Sequence, residues 1–238
     1  MNIIYNNCCG IEFNKGKLLA CFIYDNSVEI REYNTNIKSL LELSDWLIQV
    51  KCQIIAMDNH SLFGEKLYKI LEASGLIVII INVYTIKNMP GRIVKTKDCE
   101  WIAELLQYGL LQASESTIVV QQKLRDLVDY RKSLVANKKQ ELLKIWKMLV
   151  SENIKVPVMD GNGMIHNNKL ENFIWDFYNQ SNTTDLRRGE NKKGIKIIND
   201  ILSDHKIWLI NESIVHLYEI NIHIKKIENK IYLVMKNI

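Results

Sequence analysis

Along the first hundred residues, apolar positions come in short runs rather than long stripes. Cys8–Phe13, Leu18–Tyr24 and Val28–Tyr33 are apolar or alternating segments parted by Asn, Lys and Gly, the pattern of three strands in a meander. Leu40–Val50 changes period, with Leu40, Leu41, Leu43, Trp46, Leu47 and Val50 on one helical face. Gln53–Met57 predicts a buried strand and Leu62–Ala73 a helix. Leu76–Asn82 predicts a strand apolar on both faces, as in the centre of a parallel sheet. After the break at Pro90-Gly91, Asp98–Leu111 is again helical. Three strands followed by helix, strand, helix, strand and helix make an α/β domain.

The second half has a different texture. Gln121 to Glu152 predicts one amphipathic helix, with Leu124, Leu127, Leu134, Leu142, Ile145 and Leu149 on its apolar stripe. A connection with Pro157 and the turn-like Asp160-Gly161-Asn162-Gly163 leads to a helix near Leu170–Tyr178. A basic loop at Arg187-Arg188 and a short helix near Gly194–Leu202 follow. Asp204–Ile238 predicts a second long helix. Ile210, Leu217, Ile224, Ile231 and Ile238 recur every seventh residue, interleaved with Ile207, Ile214, Ile220, Ile227 and Val234. Asn221 stands where a polar residue can set register. Two such helices favour a coiled coil, within or between chains, and the second stripe predicts a homodimer or higher oligomer. The expected division is an α/β domain over residues 1–115 and a helical coiled-coil region over 116–238.

Composition narrows the class. Hydrophobic residues make up 47% and charged residues 24%, the balance of an ordinary globular protein. The longest apolar stretch, Gly75 to Val83, is too short to span a bilayer. No charged segment with an apolar core opens the chain, so no signal peptide or membrane partner is expected and the location is cytoplasmic. Five cysteines without a CxxC pair suit reduced core thiols better than disulfides or zinc. The net charge of +4 says little, but its distribution matters. Gln121–Val150 carries eight Lys/Arg against three acids, enough to attract a polyanion, although a solvated helix face explains the same charges.

Three stretches carry a family resemblance. Cys9-Gly10-Ile11-Glu12 precedes Lys15 and Leu19-Ala20-Cys21, and Ala56-Met57-Asp58 precedes Tyr68 and Leu71-Glu72. Asn88-Met89-Pro90-Gly91-Arg92 leads into Lys97-Asp98-Cys99-Glu100-Trp101-Ile102-Ala103-Glu104-Leu105-Leu106 and Gly109-Leu110-Leu111. Together with Leu124-Arg125-Asp126-Leu127 and Tyr130-Arg131-Lys132, these resemble the DEDD-type (RuvC-like) insertion-sequence transposases over at least the first 150 residues. The resemblance implies an RNase H-like (RuvC-like) N-terminal domain followed by a coiled-coil region. It also implies DNA transposition and recombination guided by a structured RNA, and Mg²⁺ held by Glu12, Asp58 and Asp98 as catalytic acids. Such sites place two divalent ions about 4 Å apart to clamp the attacking and leaving oxygens of a phosphodiester exchange. DNA and RNA contacts are expected from Arg92, Arg125, Arg131, Lys132, Lys138 and Lys139.

The sequence departs from the family pattern at chosen points. Glu12 stands for the usual Asp and Asp58 for the usual Glu, each displacing a ligand by roughly one methylene where Mg²⁺ demands near-octahedral geometry. Aligning Asp98 with the final acid puts Lys95 at the third aspartate, reversing a charge; Glu100 does not replace it, because the family motif carries that Glu as well. No residue through Ile238 matches the family's C-terminal serine domain, so a truncated or degenerate member is expected. The competing reading is a non-catalytic nucleic-acid-binding or dimerisation protein derived from such a transposase; a standalone RuvC-like nuclease is a third. Other candidates are bland. Met164 spoils a calcium-loop reading of Asp160–Gly163, while His60, His216 and His223 suit surface positions.

Overall fold

The computed structural model of the chain describes residues 2–14, 16–25, 27–58, 62–82, 86, 97–111, 121–154, 156, 167–182 and 202–236. Contacts divide it into two compact units, Met1–Lys132 with Ile227–Ile238, and Ser133–Lys226.

In the first unit, β1 (Cys8–Asn14), β2 (Lys17–Tyr24), β3 (Ser27–Asn34), β4 (Ile54–Met57) and β5 (Val78–Ile80) form one sheet in the order β3-β2-β1-β4-β5. The first three strands are antiparallel, and β4 and β5 join parallel beside β1. This mixed α/β arrangement is consistent with the RNase H-like expectation. The strand expected over Leu76–Asn82 shrinks to β5 and lies at the sheet edge among the described residues, with Ile77 exposed. Its apolar character on both faces has another cause than a central position. Val78 and Ile80 pack into the core on one side of the sheet, Ile79 and Ile81 into the core on the other.

Helix α1 (Ile37–Gln49) starts three residues before its apolar spacing, because the Asn36 side chain accepts the Ser39 N–H at 2.9 Å. With α2 (Leu62–Ala73) it covers the sheet face that carries Cys9, Ile11, Ile55 and Met57. Helix α3 (Asp98–Gln107) covers the opposite face with Cys99, Ile102, Ala103, Leu105 and Leu106. It stops short of Leu111 because Gly109 takes φ +66°. The Gly109 and Leu110 N–H groups then fold back onto the Leu106 and Leu105 carbonyls.

Two long helices contribute to both units. The start of α4 (Gln122–Ser151) and the end of α6 (Asp204–Lys236) add Leu124, Val128, Ile231, Val234 and Met235 to the core under α1 and α2. Arg131 joins them. Its guanidinium forks onto Asp45 at 2.8 and 2.9 Å and reaches Glu228 at 2.9 Å.

The second unit packs the remainder of α4 and α6 with α5 (Asn167–Asn182) around Leu142, Ile145, Leu149, Leu170, Ile174, Ile210, Ile214 and Leu217. The pairs Glu141–His216 and Glu152–Lys206 advance in opposite directions along α4 and α6, so the helices are antiparallel there. Ile210, Ile214 and Leu217 are fully buried within the single chain, and Ile224 almost so. Asn221 donates to Glu171 at 3.2 Å. These positions of the heptad stripe are buried by the chain's own residues, and Ile238 lies outside the described residues. Of the expected short helix near Gly194–Leu202 only Leu202 is described, buried in this core, while Asp160–Gly163 and Arg187-Arg188 lie outside the described residues. The five cysteines are free, and among the described residues no helix is long and apolar enough to cross a membrane.

Candidate functional site

Side chains alternate along β1, so Cys8, Gly10 and Glu12 share one face, and α3 lies on it. The Cys8 thiol donates to the Ala103 carbonyl at 3.5 Å. A Cβ on Gly10 would fall 2.3 Å from the Cys99 carbonyl oxygen and 2.6 Å from the Ala103 nitrogen, so glycine there lets the helix backbone rest on the strand. Glu12 comes next and meets the first turn of α3. The helix therefore runs antiparallel to β1, with its positive end over the carboxyl end of the strand.

Asp58 arrives at the same place from another direction. The register pairs Ile11 with Met57 in parallel, which makes Asp58 the neighbour of Glu12 one step further on. By alternation with Ile54 and Ala56 it shares the α3 face. Asp98 opens α3. The backbone thus brings Glu12, Asp58 and Asp98 to one sheet edge from sequence positions far apart, with Asp58 and Asp98 half-buried.

Their chemistry is not equivalent. Glu12 is 9% exposed, and its Oε2 accepts the Cys99 N–H at 2.6 Å while Asn14 Nδ2 approaches Oε1 at 3.5 Å. Lys97 occupies the N-cap position of α3, yet a lysine side chain offers no acceptor. The first-turn donors are met from elsewhere: Glu100 accepts the Lys97 N–H at 3.3 Å and Glu12 accepts that of Cys99. Among the described residues no group of three or more His, Cys, Asp or Glu side chains is arranged to hold a metal ion. Of the donor set expected for Mg²⁺, Glu12 is buried with its Oε2 bonded to a helix amide, while Asp58 and Asp98 are half-buried. Lys95 lies outside the described residues.

The expected nucleic-acid contacts need correction. Arg131 is only 4% exposed and is held by Asp45 and Glu228. Burial alone would lower its pKa, but the two carboxylates outweigh burial and raise it. Arg131 is an internal cation, closed to a phosphate. Arg125 pairs with Glu72 at 2.6 Å. Lys132 bonds the Ser74 carbonyl at 2.8 Å and Asp129 at 3.0 Å. Lys138 pairs with Glu171 at 2.8 Å. Lys139 is exposed, as are Lys123 and Lys147, which the expected contact set omits. Arg92 and His60 lie outside the described residues. His223 is exposed, and His216 approaches Glu141 at 3.5 Å.

The residue that sequence reasoning missed is Cys99, through its backbone N–H rather than its thiol. A signal existed, because Lys97 at the N-cap offers no side-chain acceptor to the N–H groups of the first turn. Compared with known families, residues 9–154 match the pattern of the IS110-type DEDD transposases, described as "Transposase", over more than half of the chain. No curated protein matches the chain.

Proposed function

The chain belongs to the IS110-type DEDD transposase family, a family of DNA transposition and recombination, and from that premise we propose that it binds nucleic acid while its own phosphodiester chemistry is impaired. The observation that carries this reading is the state of Glu12, whose buried carboxylate holds a helix amide. The family generally uses a divalent metal, and carboxylates must face such ions to neutralise and orient them. Here one acid is engaged elsewhere, Asp58 is a methylene short of the family's Glu, and Lys95 brings a positive charge to an acidic position.

Binding rests on other residues. Exposed Lys139 and Lys147 on α4 offer phosphate contacts to DNA and to a structured guide RNA, with Lys123 adding charge at the start of that helix. Arg125, Lys132 and Lys138 contribute less, because each is already paired with a carboxylate of the same chain. We read the α/β part, residues 1–115, as the RuvC-like domain and the antiparallel α4 and α6 as the family's coiled-coil region.

The test is a titration of duplex DNA and of folded RNA at several salt concentrations. Affinity should fall steeply with salt because phosphate contacts release counterions. Lys139→Ala with Lys147→Ala should lower the slope of log K against log salt by about 2, one for each lost phosphate contact. Salt-independent or absent binding refutes the proposal. The backbone juxtaposition of Glu12, Asp58 and Asp98 favours a second reading, an active recombinase. Robust Mg²⁺-dependent DNA cleavage by the unaltered chain, abolished by Asp98→Ala, establishes that reading in place of the first.

A further inference from the structure

We propose that Glu12, at the position of the family's first metal-binding acid, works in this chain as the N-terminal cap of α3 and as the positioning residue for Asp98. Four observations converge on it. The acceptor position proper to a cap is filled by Lys97, which has no acceptor to give. The Cys99 N–H, a first-turn donor that intrahelical bonds leave unmet, is met instead by Glu12 Oε2 at 2.6 Å. That distance is at the short end for an amide donor and suits a charged acceptor. Glu12 is also buried, so its charge needs compensation, and the positive end of α3 supplies it. Finally, Gly10 brings the α3 backbone against β1 two residues earlier, which puts the helix start within reach of the Glu12 side chain.

Side-chain length is what separates the two roles. An aspartate at this position is one methylene shorter and falls short of the Cys99 amide, leaving its carboxylate at the strand end. The glutamate spans the gap to the helix. The exchange of Asp for Glu therefore changes the destination of the carboxylate rather than loosening a ligand. Asp98 sits one residue before the captured amide, so the same bond fixes where Asp98 begins the helix. This inference rests on the bond and the burial, and it stands apart from the proposed nucleic-acid binding.

The experiment compares Glu12→Gln, Glu12→Ala and Glu12→Asp in the full chain with a chelator present, by thermal melting and by hydrogen exchange at the Cys99 amide. Gln keeps an acceptor of the same length without the charge, so its melting temperature should fall between those of the parent and Ala. Ala and Asp should each lower it by about 2–4 °C, the effect of losing one cap in a chain of this size, and should speed Cys99 exchange by about fivefold. The parent alone supplies a further readout: its Cys99 amide should be protected from exchange. Adding MgCl₂ should shift parent and Glu12→Gln equally. A Gln variant as unstable as Ala, an Asp variant as stable as the parent, an unprotected Cys99 amide, or a magnesium shift lost only in Glu12→Gln each overturns the inference. No nucleic acid enters the measurement, so its failure is distinct from failure of the binding proposal.

Discussion

Gly10 is where a single residue decides the geometry of the site. Its hydrogen faces the Cys99 carbonyl and the Ala103 nitrogen, both backbone atoms that cannot rotate away. Gly10→Ala should therefore push α3 off β1 and cost about 3 kcal/mol, at the upper end for overpacking, measured by denaturant unfolding. A loss below about 1 kcal/mol would mean that the helix rides further from the strand than described. The chemical half of the motif was legible in the sequence: Gly10-Ile11-Glu12 marks an acid at the end of a strand, and Ala56-Met57-Asp58 a second beside it. The steric half was not, because nothing in the sequence says which backbone will press on a given glycine. The destination of the Glu12 carboxylate stayed hidden for a related reason, as its partner is an amide, a group that every residue but proline carries.

Between elements, the internal cation Arg131 ties α4 to α1 and α6. It is nearly buried and faces Asp45 and Glu228, whose side chains are 29% and 17% exposed. Burial pushes the Asp45 carboxyl up from its ordinary value, and the guanidinium opposes that push. Removing the cation leaves two carboxylates facing each other in a poorly solvated space. Arg131→Ala should cost about 3 kcal/mol, the lower end for a broken buried pair because Asp45 keeps some water. An unfolding free energy changed by less than about 1 kcal/mol, the value of a surface pair, would return Arg131 to the surface. Sequence reasoning saw Tyr130-Arg131-Lys132 as part of a basic face because charge counts carry no information about partners 86 and 97 residues away. Element boundaries followed the same logic. The α1 start hung on the Asn36 cap and the α3 end on Gly109, local signals that apolar spacing alone overruns.

At the scale of the whole molecule, the question is whether the heptad stripe of α6 joins two chains or closes one. Its period was plain in the sequence, but a stripe looks the same whether its cover comes from a neighbouring chain or from the same one. Leu217 is fully buried and Ile224 nearly so without any partner chain. Leu217 lies in a core with residues of α4 and α5, and Asn221 between them finds Glu171. A second copy that packed on Leu217 would have to displace the α4 and α5 residues that already cover it. Leu217→Asp combined with Ile224→Asp should therefore act inside the chain. Burying unpaired carboxylates costs several kcal/mol, and the second unit should lose helical circular dichroism at every protein concentration. Light scattering on the same samples separates the alternatives. If the double variant instead converts a larger parent assembly into monomers with its helical signal intact, the stripe is an interface between chains, and the intramolecular packing of α4, α5 and α6 is not its resting state in solution.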